Sequence, residues 1–415
     1  MTWKRFKLGE LFDVFSGLSK SREEFGFGYP FLTFKDVFYN YFVPDELESL
    51  ANTTDKERGK CSIKKGDVFL TRTSETVDEL GMSCVALKDY DNATFNGFTK
   101  RLRLKPDCGV GVDPVFFGYY LRSNAFRQQV NAVSSITTRA SLNATQINAL
   151  EIELPDYEEQ LSIGRMLKPL DDKIELNRRM NATLEAMAQA LFKEWFVDRQ
   201  VPTSDLGFES LRVRNMEWEE KTIGDLAEIV GGSTPSTKVE RYWNGKHCWA
   251  TPKDLSTLTV PVLLDTDRHL TDEGLDEVGS GLLPIGTVLM SSRAPIGYIA
   301  IAEVPTAVNQ GFIALKAKEG VSNLFLWQWL NHSMEAIKSR ANGSTFQEIS
   351  KASFRPIAVT APPAQVMAEF DRLVRPMYAR LVSNERENRT LASLRDTLLP
   401  KLMRGEVRVK ELSLK

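Results

Sequence analysis

Two groups of residues in this sequence have the types and spacing of catalytic or metal-binding sites. The pair PD at 155–156, followed by DDK at 171–173, imitates the PD…D-x-K spacing of nucleases. The second of these falls on a heptad-patterned helix, off its apolar seam, where solvated charges are expected. His247 beside Cys248 resembles half of a zinc site, but no second pair lies at zinc spacing. We therefore predict no catalytic residue and no metal site.

Other enzyme signatures are missing from the sequence. It contains no G-x-x-x-x-G-K-[ST] phosphate loop, and no glycine-rich cofactor loop paired with a proline-aromatic motif. None of the three histidines stands in a recognisable Ser-His-Asp context. The sequence therefore predicts a chain that is not catalytic by itself and that holds no cofactor.

The remaining candidates are polar and basic residues on predicted loops. Arg and Lys pair with guanine, Asn and Gln with adenine, and Lys, Arg, Ser and Thr with phosphate oxygens. Candidates in the N-terminal half are Lys35, Thr71, Arg72, Thr73, Ser74, Thr137, Thr138, Arg139 and Asn143. Candidates in the C-terminal half are Lys253, Ser291, Ser292, Arg293, Ser344, Thr345, Gln347 and Lys351. Each of them is alternatively a solvated loop residue or a turn former. Asp36 and Asp254, which follow the two lysines, either accept from cytosine or cap a turn.

The segments that carry these loops occur twice. The stretch "WKRFKLGELFDVFSG" from Trp3 matches "WEEKTIGDLAEIVGG" from Trp218, which aligns Gly17 with Gly232. Further on, "FLTFKDV" matches "WATPKDL", "KKGDVFLTRTS" matches "LPIGTVLMSSR", and "FNGF" at 95–98 matches "NQGF" at 309–312. Each match is short, but their common order indicates an internal repeat.

Each repeat combines short β-rich runs with helical segments. Runs such as "GDVFLT" and "GTVLMSS" are bounded by turn residues, and no regular βαβ alternation follows. We predict an α+β fold in which two similar mixed α/β domains are separated by two long antiparallel coiled-coil helices with pseudo-twofold symmetry. The predicted segments are a first domain (1–155), a central helix (156–200), a linker (201–215), a second domain (216–361), a C-terminal helix (362–408) and a tail (409–415).

Apolar residues at heptad spacing predict the two long helices. The pattern covers 163–195 and recurs over 370–402. At the centre of each apolar stripe stand two amides, which are Asn177 and Asn181 in the first helix and Asn384 and Asn388 in the second. An unpaired buried amide would cost about 1–3 kcal/mol. The four asparagines are therefore predicted to set the register of a helix pair.

Chain order favours one relative direction for the two helices. In an antiparallel pair Asn177 would face Asn388, and Asn181 would face Asn384. A parallel pair would align the amides too, and each helix packing on its own domain is a further alternative. The order domain–helix–domain–helix makes the antiparallel pair simpler. Such a pair is a rod of about 50 Å, which spans roughly 15 base pairs of DNA and suits a split site.

Composition bounds the class of protein. The net charge of −2 over 415 residues gives no basic excess, so any surface for nucleic acid must be local. The first residues lack the apolar core that a signal peptide has, and no apolar run approaches the roughly 20 residues of a membrane span, so we expect neither. Without a C-x-x-C pair, the cysteines indicate a reduced, cytoplasmic protein; they are Cys61, Cys84, Cys108 and Cys248.

The sequence resembles the specificity subunits of type I restriction-modification enzymes. The resemblance rests on the segment from Leu154 to Asp198, with "LPDYEEQLSIGRMLKPLDDKIELN" followed by "LEAMAQALFKEWFVD", and on its echo from Ala361 to Val407. The domain openings and the run "GGSTPS" at 231–236 add to it. One departure is that the Glu-Gln pair at 159–160 becomes Ala-Gln at 364–365.

This resemblance implies two target recognition domains, each reading one part of a bipartite, asymmetric double-stranded DNA site. It also implies that the helices set the spacer and dock two modification subunits, which methylate adenine N6 with S-adenosylmethionine. Two restriction subunits would then add ATP- and Mg²⁺-dependent translocation and cleavage. The alternatives are the specificity subunit of a methylation-only system, or a coiled-coil scaffold that binds no DNA.

Overall fold

The computed structural model describes residues 3–74, 79–133, 135–136, 140–201, 218–343 and 347–407. The chain divides into a first unit, Met1–Lys173 with Leu391–Lys415, and a second unit, Ile174–Thr390. This division falls within both long helices, so each unit contains one mixed domain and parts of both helices.

Short strands and helices alternate irregularly along the chain, as the α+β prediction requires. The strands are β1 (Lys4–Lys7), β2 (Phe12–Ser16), β3 (Phe25–Leu32), β4 (Leu50–Ala51), β5 (Val68–Thr71), β6 (Thr73–Ser74), β7 (Ser83–Val85), β8 (Thr94–Phe95), β9 (Thr99–Leu104), β10 (Ser135–Ile136), β11 (Ala140–Ser141), β12 (Glu151–Leu154), β13 (Glu219–Thr222), β14 (Ala227–Val230), β15 (Trp243–Ala250), β16 (Val262–Leu263), β17 (Arg268–Leu270), β18 (Val288–Ser291), β19 (Ile299–Ala302), β20 (Thr306–Val308), β21 (Phe312–Ala317) and β22 (Ala358–Ala361).

The helices range from single turns to the two long ones that the heptads predict. They are α1 (Leu8–Leu11), α2 (Phe34–Tyr39), α3 (Asp55–Lys60), α4 (Pro114–Tyr120), α5 (Asn124–Val133), α6 (Ala144–Ala149), α7 (Tyr157–Phe192), α8 (Ile223–Leu226), α9 (Pro252–Ser256), α10 (Asp272–Asp276), α11 (Asn323–His332), α12 (Met334–Lys338), α13 (Lys351–Phe354) and α14 (Ala364–Met403). A π-helical turn, Lys193–Val197, continues α7. Short 3₁₀ turns cover Arg22–Glu24 and Glu240–Tyr242.

The same sheet plan recurs in both units. In the first unit, one sheet has the strand order β2-β9-β5-β7 and a second sheet has the order β4-β3-β8. In the second unit, the two orders are β14-β21-β18-β19-β16 and β17-β15-β20. The central strands β5 and β18 are buried along their length and apolar except for their last residues, Thr71 and Ser291, as suits strands covered on both faces. The repeat in the sequence is therefore a repeat of fold.

Two pairs of repeated glycines show why the repeat preserves this residue type. Gly66 and Gly286 precede β5 and β18 at φ values of 86° and 87°, a left-handed conformation that favours glycine. Gly17 lies against the backbone of Phe95 and Asn96, and a Cβ there would overlap their carbonyl oxygens. Gly232 lies in the same way against the carbonyl of Val308.

Each unit buries one stretch of the heptad seam. In the first unit Ile163 and Leu167 join a core with Leu402, and in the second Trp195 packs with Phe370. Burying one large apolar side chain stabilises the fold by about 1.5–3 kcal/mol. The predicted fold class, mixed domains with two long helices, is confirmed.

Within the second unit the central asparagines are buried and pair directly. Asn177 Nδ2 donates to Asn388 Oδ1 at 2.9 Å and to Glu387 Oε2 at 2.9 Å. Asn384 Nδ2 donates to Asn181 Oδ1 at 2.7 Å. Because partner numbers fall along one helix as they rise along the other, the helices run antiparallel there.

One expectation about the first unit was wrong. Asp171 was predicted to be a solvated charge, but its side chain is largely buried. It accepts a hydrogen bond of 2.6 Å from Arg395 Nη1 and another from the Tyr119 hydroxyl. Arg395 also lies over the ring of Tyr41. Arg395 lies on the apolar stripe of α14, where a buried charge needs a charged partner, and Asp171 is that partner. The carboxylate therefore has a structural role, far from nuclease chemistry.

Candidate nucleic-acid interface

In the first unit, backbone hydrogen bonds bring the predicted loops together. Asn96 N–H donates to the Leu32 carbonyl at 3.0 Å, and Arg72 N–H donates to the Phe98 carbonyl at 3.0 Å. The Leu142 N–H in turn donates to the Arg72 carbonyl at 2.9 Å. We call the resulting surface the first loop cluster; it comprises 33–35, 72–74, 96–98 and 142–143.

The second unit repeats these bonds with different side chains. Asn309 N–H donates to the Ala250 carbonyl at 3.1 Å, and Ser292 N–H donates to the Gly311 carbonyl at 2.8 Å. Ile349 N–H donates to the Ser292 carbonyl at 3.0 Å. The second loop cluster accordingly comprises 251–253, 292–293, 309–311 and 348–351.

These bonds shift the alignment of one repeated motif. Thr71 pairs with Thr99 across β5 and β9, and Ser291 pairs with Phe312 across β18 and β21. The structural alignment of "FNGF" with "NQGF" is therefore shifted by one residue from the sequence alignment, so that Asn96 corresponds to Asn309 and not to Gln310. Both amides close the same turn, since each Oδ1 accepts from the N–H two residues on, at 2.6 and 2.8 Å.

Thr71 and Ser291 cannot contact DNA as predicted, because both side chains are fully buried. Thr71 Oγ1 accepts from the Met82 N–H at 2.9 Å. Ser291 Oγ accepts from the Tyr298 N–H at 2.9 Å and donates to the Pro295 carbonyl at 2.7 Å. Each hydroxyl satisfies the backbone of the hairpin that leaves its central strand. Ser292 is buried as well, and contributes backbone bonds alone to the cluster.

The acidic residues after the two lysines cap helices. Asp36 Oδ2 accepts from the Thr33 N–H at 2.9 Å, and Asp254 Oδ2 accepts from the Thr251 N–H at 2.8 Å. These capping boxes begin α2 and α9. Asn143 has the same kind of role, because its Oδ1 accepts from the Gln146 N–H at the start of α6. Of the two alternatives for the aspartates, the structure supports turn capping.

Basic side chains remain exposed on both clusters. Lys35 and Lys253 are exposed at the starts of α2 and α9, and Lys351 is exposed at the start of α13. Gln347, which immediately precedes the 348–351 segment of the second cluster, is exposed as well. Arg293 is about two-fifths exposed and lies 3.6 Å from Glu348, a surface pair that constrains it little.

Arg72 is the most unusual residue of the first loop cluster. Its buried Nε has no hydrogen-bond partner among the described residues. Thr73 and Ser74 beside it are half-buried, and the Ser74 hydroxyl donates to Glu79 at 3.2 Å. A buried donor without an acceptor costs free energy.

Sequence reasoning missed Lys100, Phe98 and Gln310. Lys100 donates to Ser16 Oγ at 2.6 Å, and burial together with the charge of Arg72 lowers the pKa of its ammonium. Phe98 is 55% exposed at the cluster, and Gln310 is exposed and accepts from the Thr234 hydroxyl. The signal that would have found them is the Asn-capped turn common to both repeats. Some predicted residues lie outside the described part of the chain and stay predictions; they are Thr137, Thr138, Arg139, Ser344 and Thr345.

A sequence model of a known family matches both halves of the chain. The family is described as "Type I restriction modification DNA specificity domain", and the match covers residues 1–186 and 215–370. The chain belongs to this family. Among the described residues of this family member, no helix is both long enough and apolar enough to cross a membrane.

Individual relatives match the chain over different lengths. The type I restriction enzyme HindI specificity subunit of Haemophilus influenzae is 26% identical over 471 residues, which cover 98% of this chain and 99% of that protein. The type I restriction enzyme MjaIX specificity subunit of Methanocaldococcus jannaschii is 36% identical over 167 residues, or 38% of this chain and 39% of its own length.

One solved structure of the family shares the fold. The crystal structure of the type I restriction-modification system S subunit from M. genitalium aligns with a TM-score of 0.62 at 18% identity, covering 96% of each chain. At this level of identity the likeness concerns architecture, so the roles of individual loop residues depend on the geometry described above.

Proposed function

We propose that this chain is the DNA sequence-specificity subunit of a type I restriction-modification complex, with each loop cluster reading one part of a bipartite, asymmetric site. One observation carries the proposal: the two clusters have the same backbone bonds but different side chains. Arg72 corresponds to Ser292, Phe98 to Gly311, and Asn143 to Ser350 through these bonds. A shared scaffold with exchanged side chains suits the reading of two different base sequences.

The catalytic steps are assigned to partner chains. We propose that two modification subunits methylate adenine N6 with S-adenosylmethionine, and that two restriction subunits use ATP and Mg²⁺. The paired helices supply a docking surface and set the spacer between the two parts of the site. Their buried amides support this role, because a fixed register gives a fixed length.

Lys253→Ala and Arg293→Ala test DNA engagement by the second loop cluster. In the complex reconstituted with modification subunits, each change is expected to weaken DNA binding about tenfold near 0.1 M salt and, where the side chain contacts a phosphate, to reduce the salt slope by about one. The folding stability should hardly change, since the partners Asp267 and Glu348 form exposed ion pairs with them. Fluorescence anisotropy across a salt series measures both quantities.

Lys316→Ala is the charge-matched control. Lys316 lies toward the opposite end of β21 from Gly311 and pairs at the surface with Glu228. Its loss should leave the affinity and the salt slope unchanged. Equal loss of affinity in all three variants, or affinity that barely falls as salt rises, would contradict the proposed DNA interface.

A further inference from the structure

Three side chains of the second unit converge on one point beside the second loop cluster. Cys248 Sγ lies 3.6 Å from Asp265 Oδ1 and 3.7 Å from His269 Nε2. His269 Nε2 lies 2.9 Å from Asp265 Oδ1. The thiol, the imidazole and the carboxylate thus present one ligand atom each to a shared space.

We infer that Cys248, Asp265 and His269 form a binding site for a divalent transition metal, with Zn²⁺ as the ion that the ligand set favours. A thiolate, an imidazole nitrogen and a carboxylate oxygen are the ligand types of Zn²⁺, whereas Mg²⁺ and Ca²⁺ prefer oxygen alone. Three protein ligands leave one tetrahedral position for water.

The distances fit such an ion. With Zn–S near 2.3 Å and Zn–N and Zn–O near 2.0–2.1 Å, tetrahedral ligand atoms lie roughly 3.3–3.6 Å apart. The two distances from the sulfur, 3.6 and 3.7 Å, already match. The carboxylate and the imidazole, at 2.9 Å, need to separate by a few tenths of an ångström, which a rotation of the half-exposed Asp265 side chain provides.

The same geometry argues against a nucleophilic cysteine. In a Cys-His-Asp relay the imidazole uses one nitrogen for the thiol and the other for the carboxylate, so that a proton can pass through the ring. Here Cys248 and Asp265 both approach His269 Nε2. Two groups that compete for one ring nitrogen cannot relay a proton through it, but they can share a cation with it.

The local fold holds the ligands in place before any ion binds. Cys248 and His269 are direct partners across β15 and β17. The loop that carries Asp265 is fixed by Thr266, which accepts from the Trp249 N–H at 3.0 Å and donates to the Arg268 carbonyl at 2.8 Å. A preformed site loses little entropy when the ion binds.

The sequence pointed to the wrong histidine. Successive side chains of a strand face opposite sides, so His247 and Cys248 cannot converge. His247 Nε2 instead bonds Asp272 at 2.7 Å. The partner of Cys248 comes from another strand at a spacing that resembles no zinc motif, which is why we predicted no metal from sequence.

A metal here would stiffen the support of the recognition residues. The 265–267 segment reaches Asp254, whose Oδ1 accepts from the Asp267 N–H at 2.7 Å, and Asp254 caps the helix that carries Lys253. The metal would fasten this segment to β15. The site therefore has a structural role, and its existence does not depend on the proposed function.

The experiment measures metal in the full chain, purified without an affinity tag under reducing conditions and dialysed against metal-free buffer. After incubation with Zn²⁺ and renewed dialysis, elemental analysis should give about one zinc per chain. Co²⁺ added to the metal-free chain should give the near-ultraviolet charge-transfer band of a thiolate ligand. Cys248→Ser and His269→Gln each remove a direct ligand and should lower the affinity for zinc by more than the roughly 10–100-fold that loss of an outer-shell partner costs.

His247→Gln is the matched control, since it removes a neighbouring histidine outside the three ligands and should retain the zinc. Melting curves in EDTA show whether each variant folds. Added Zn²⁺ should raise the melting temperature of the wild type and of His247→Gln, but not that of Cys248→Ser or His269→Gln. Failure of the wild type to retain zinc, or retention by Cys248→Ser equal to that of His247→Gln, would overturn the proposal.

Discussion

Replacing Asn177 by aspartate is expected to lower the free energy of unfolding by about 3–5 kcal/mol, the cost of an uncompensated buried charge. Asn177 is fully buried, and its Nδ2 donates to both Asn388 and Glu387. Aspartate has no donor for these oxygens, and its carboxylate would stand directly beside that of Glu387. Chemical denaturation followed by helical circular dichroism measures the change.

A second substitution separates pairing from general damage. Asn388→Lys in the Asn177→Asp background places an ammonium beside the new carboxylate, and should recover at least about 1 kcal/mol relative to the sum of the single changes. Ala182→Asp adds the same charge on the exposed side of the helix and should cost little. A double-mutant cycle without coupling would show that Asn177 and Asn388 do not meet.

Gly232→Ala is expected to destabilise the second unit by about 3 kcal/mol or more, at or above the upper end of the cost of overpacking. The new Cβ would overlap the Val308 carbonyl, which belongs to a buried strand and cannot rotate away as a side chain would. Val308 pairs with Ala250, so a shift would also disturb the strand that leads to Lys253. Thermal unfolding and limited proteolysis of the full chain report the loss.

Gly279→Ala supplies the comparison, because a Cβ at Gly279 meets nothing within 4 Å. It should leave the stability unchanged or raise it slightly, because alanine restricts the unfolded chain more than glycine does. If Gly232→Ala were as stable as Gly279→Ala, the close approach of the 231–232 segment to the end of β20 would be wrong.

The helices were predictable because their signals are periodic and local. Heptad spacing gives the seam, and two amides at matching positions in both stripes can be satisfied most simply by each other. The structure places Asn177 against Asn388 and Asn181 against Asn384 without intervening atoms. The partnership of Asp171 escaped prediction because it depends on Arg395, a residue far away in sequence.

The loop residues were harder to judge, since residue type does not reveal which way a side chain turns. Thr71 and Ser291 have hydroxyl groups that could bind phosphate, yet both hydroxyls are hydrogen-bonded to the backbone of a hairpin. The role of Asn96 was missed because the sequence alignment of "FNGF" with "NQGF" was shifted by one residue from the structural alignment. The convergence of Cys248 with His269 follows from strand pairing across a long loop, and no short motif encodes that pairing.

The most direct test of the central claim is a map of methylated adenines in cells that carry the intact system. The wild-type chain should give a bipartite, asymmetric motif with a fixed gap. Arg293→Ala or Lys351→Ala in the second loop cluster should relax or change one part of that motif, leaving the other part and the gap as they were. A continuous motif, or a change in both parts from either substitution, would contradict the assignment of one half-site to each cluster.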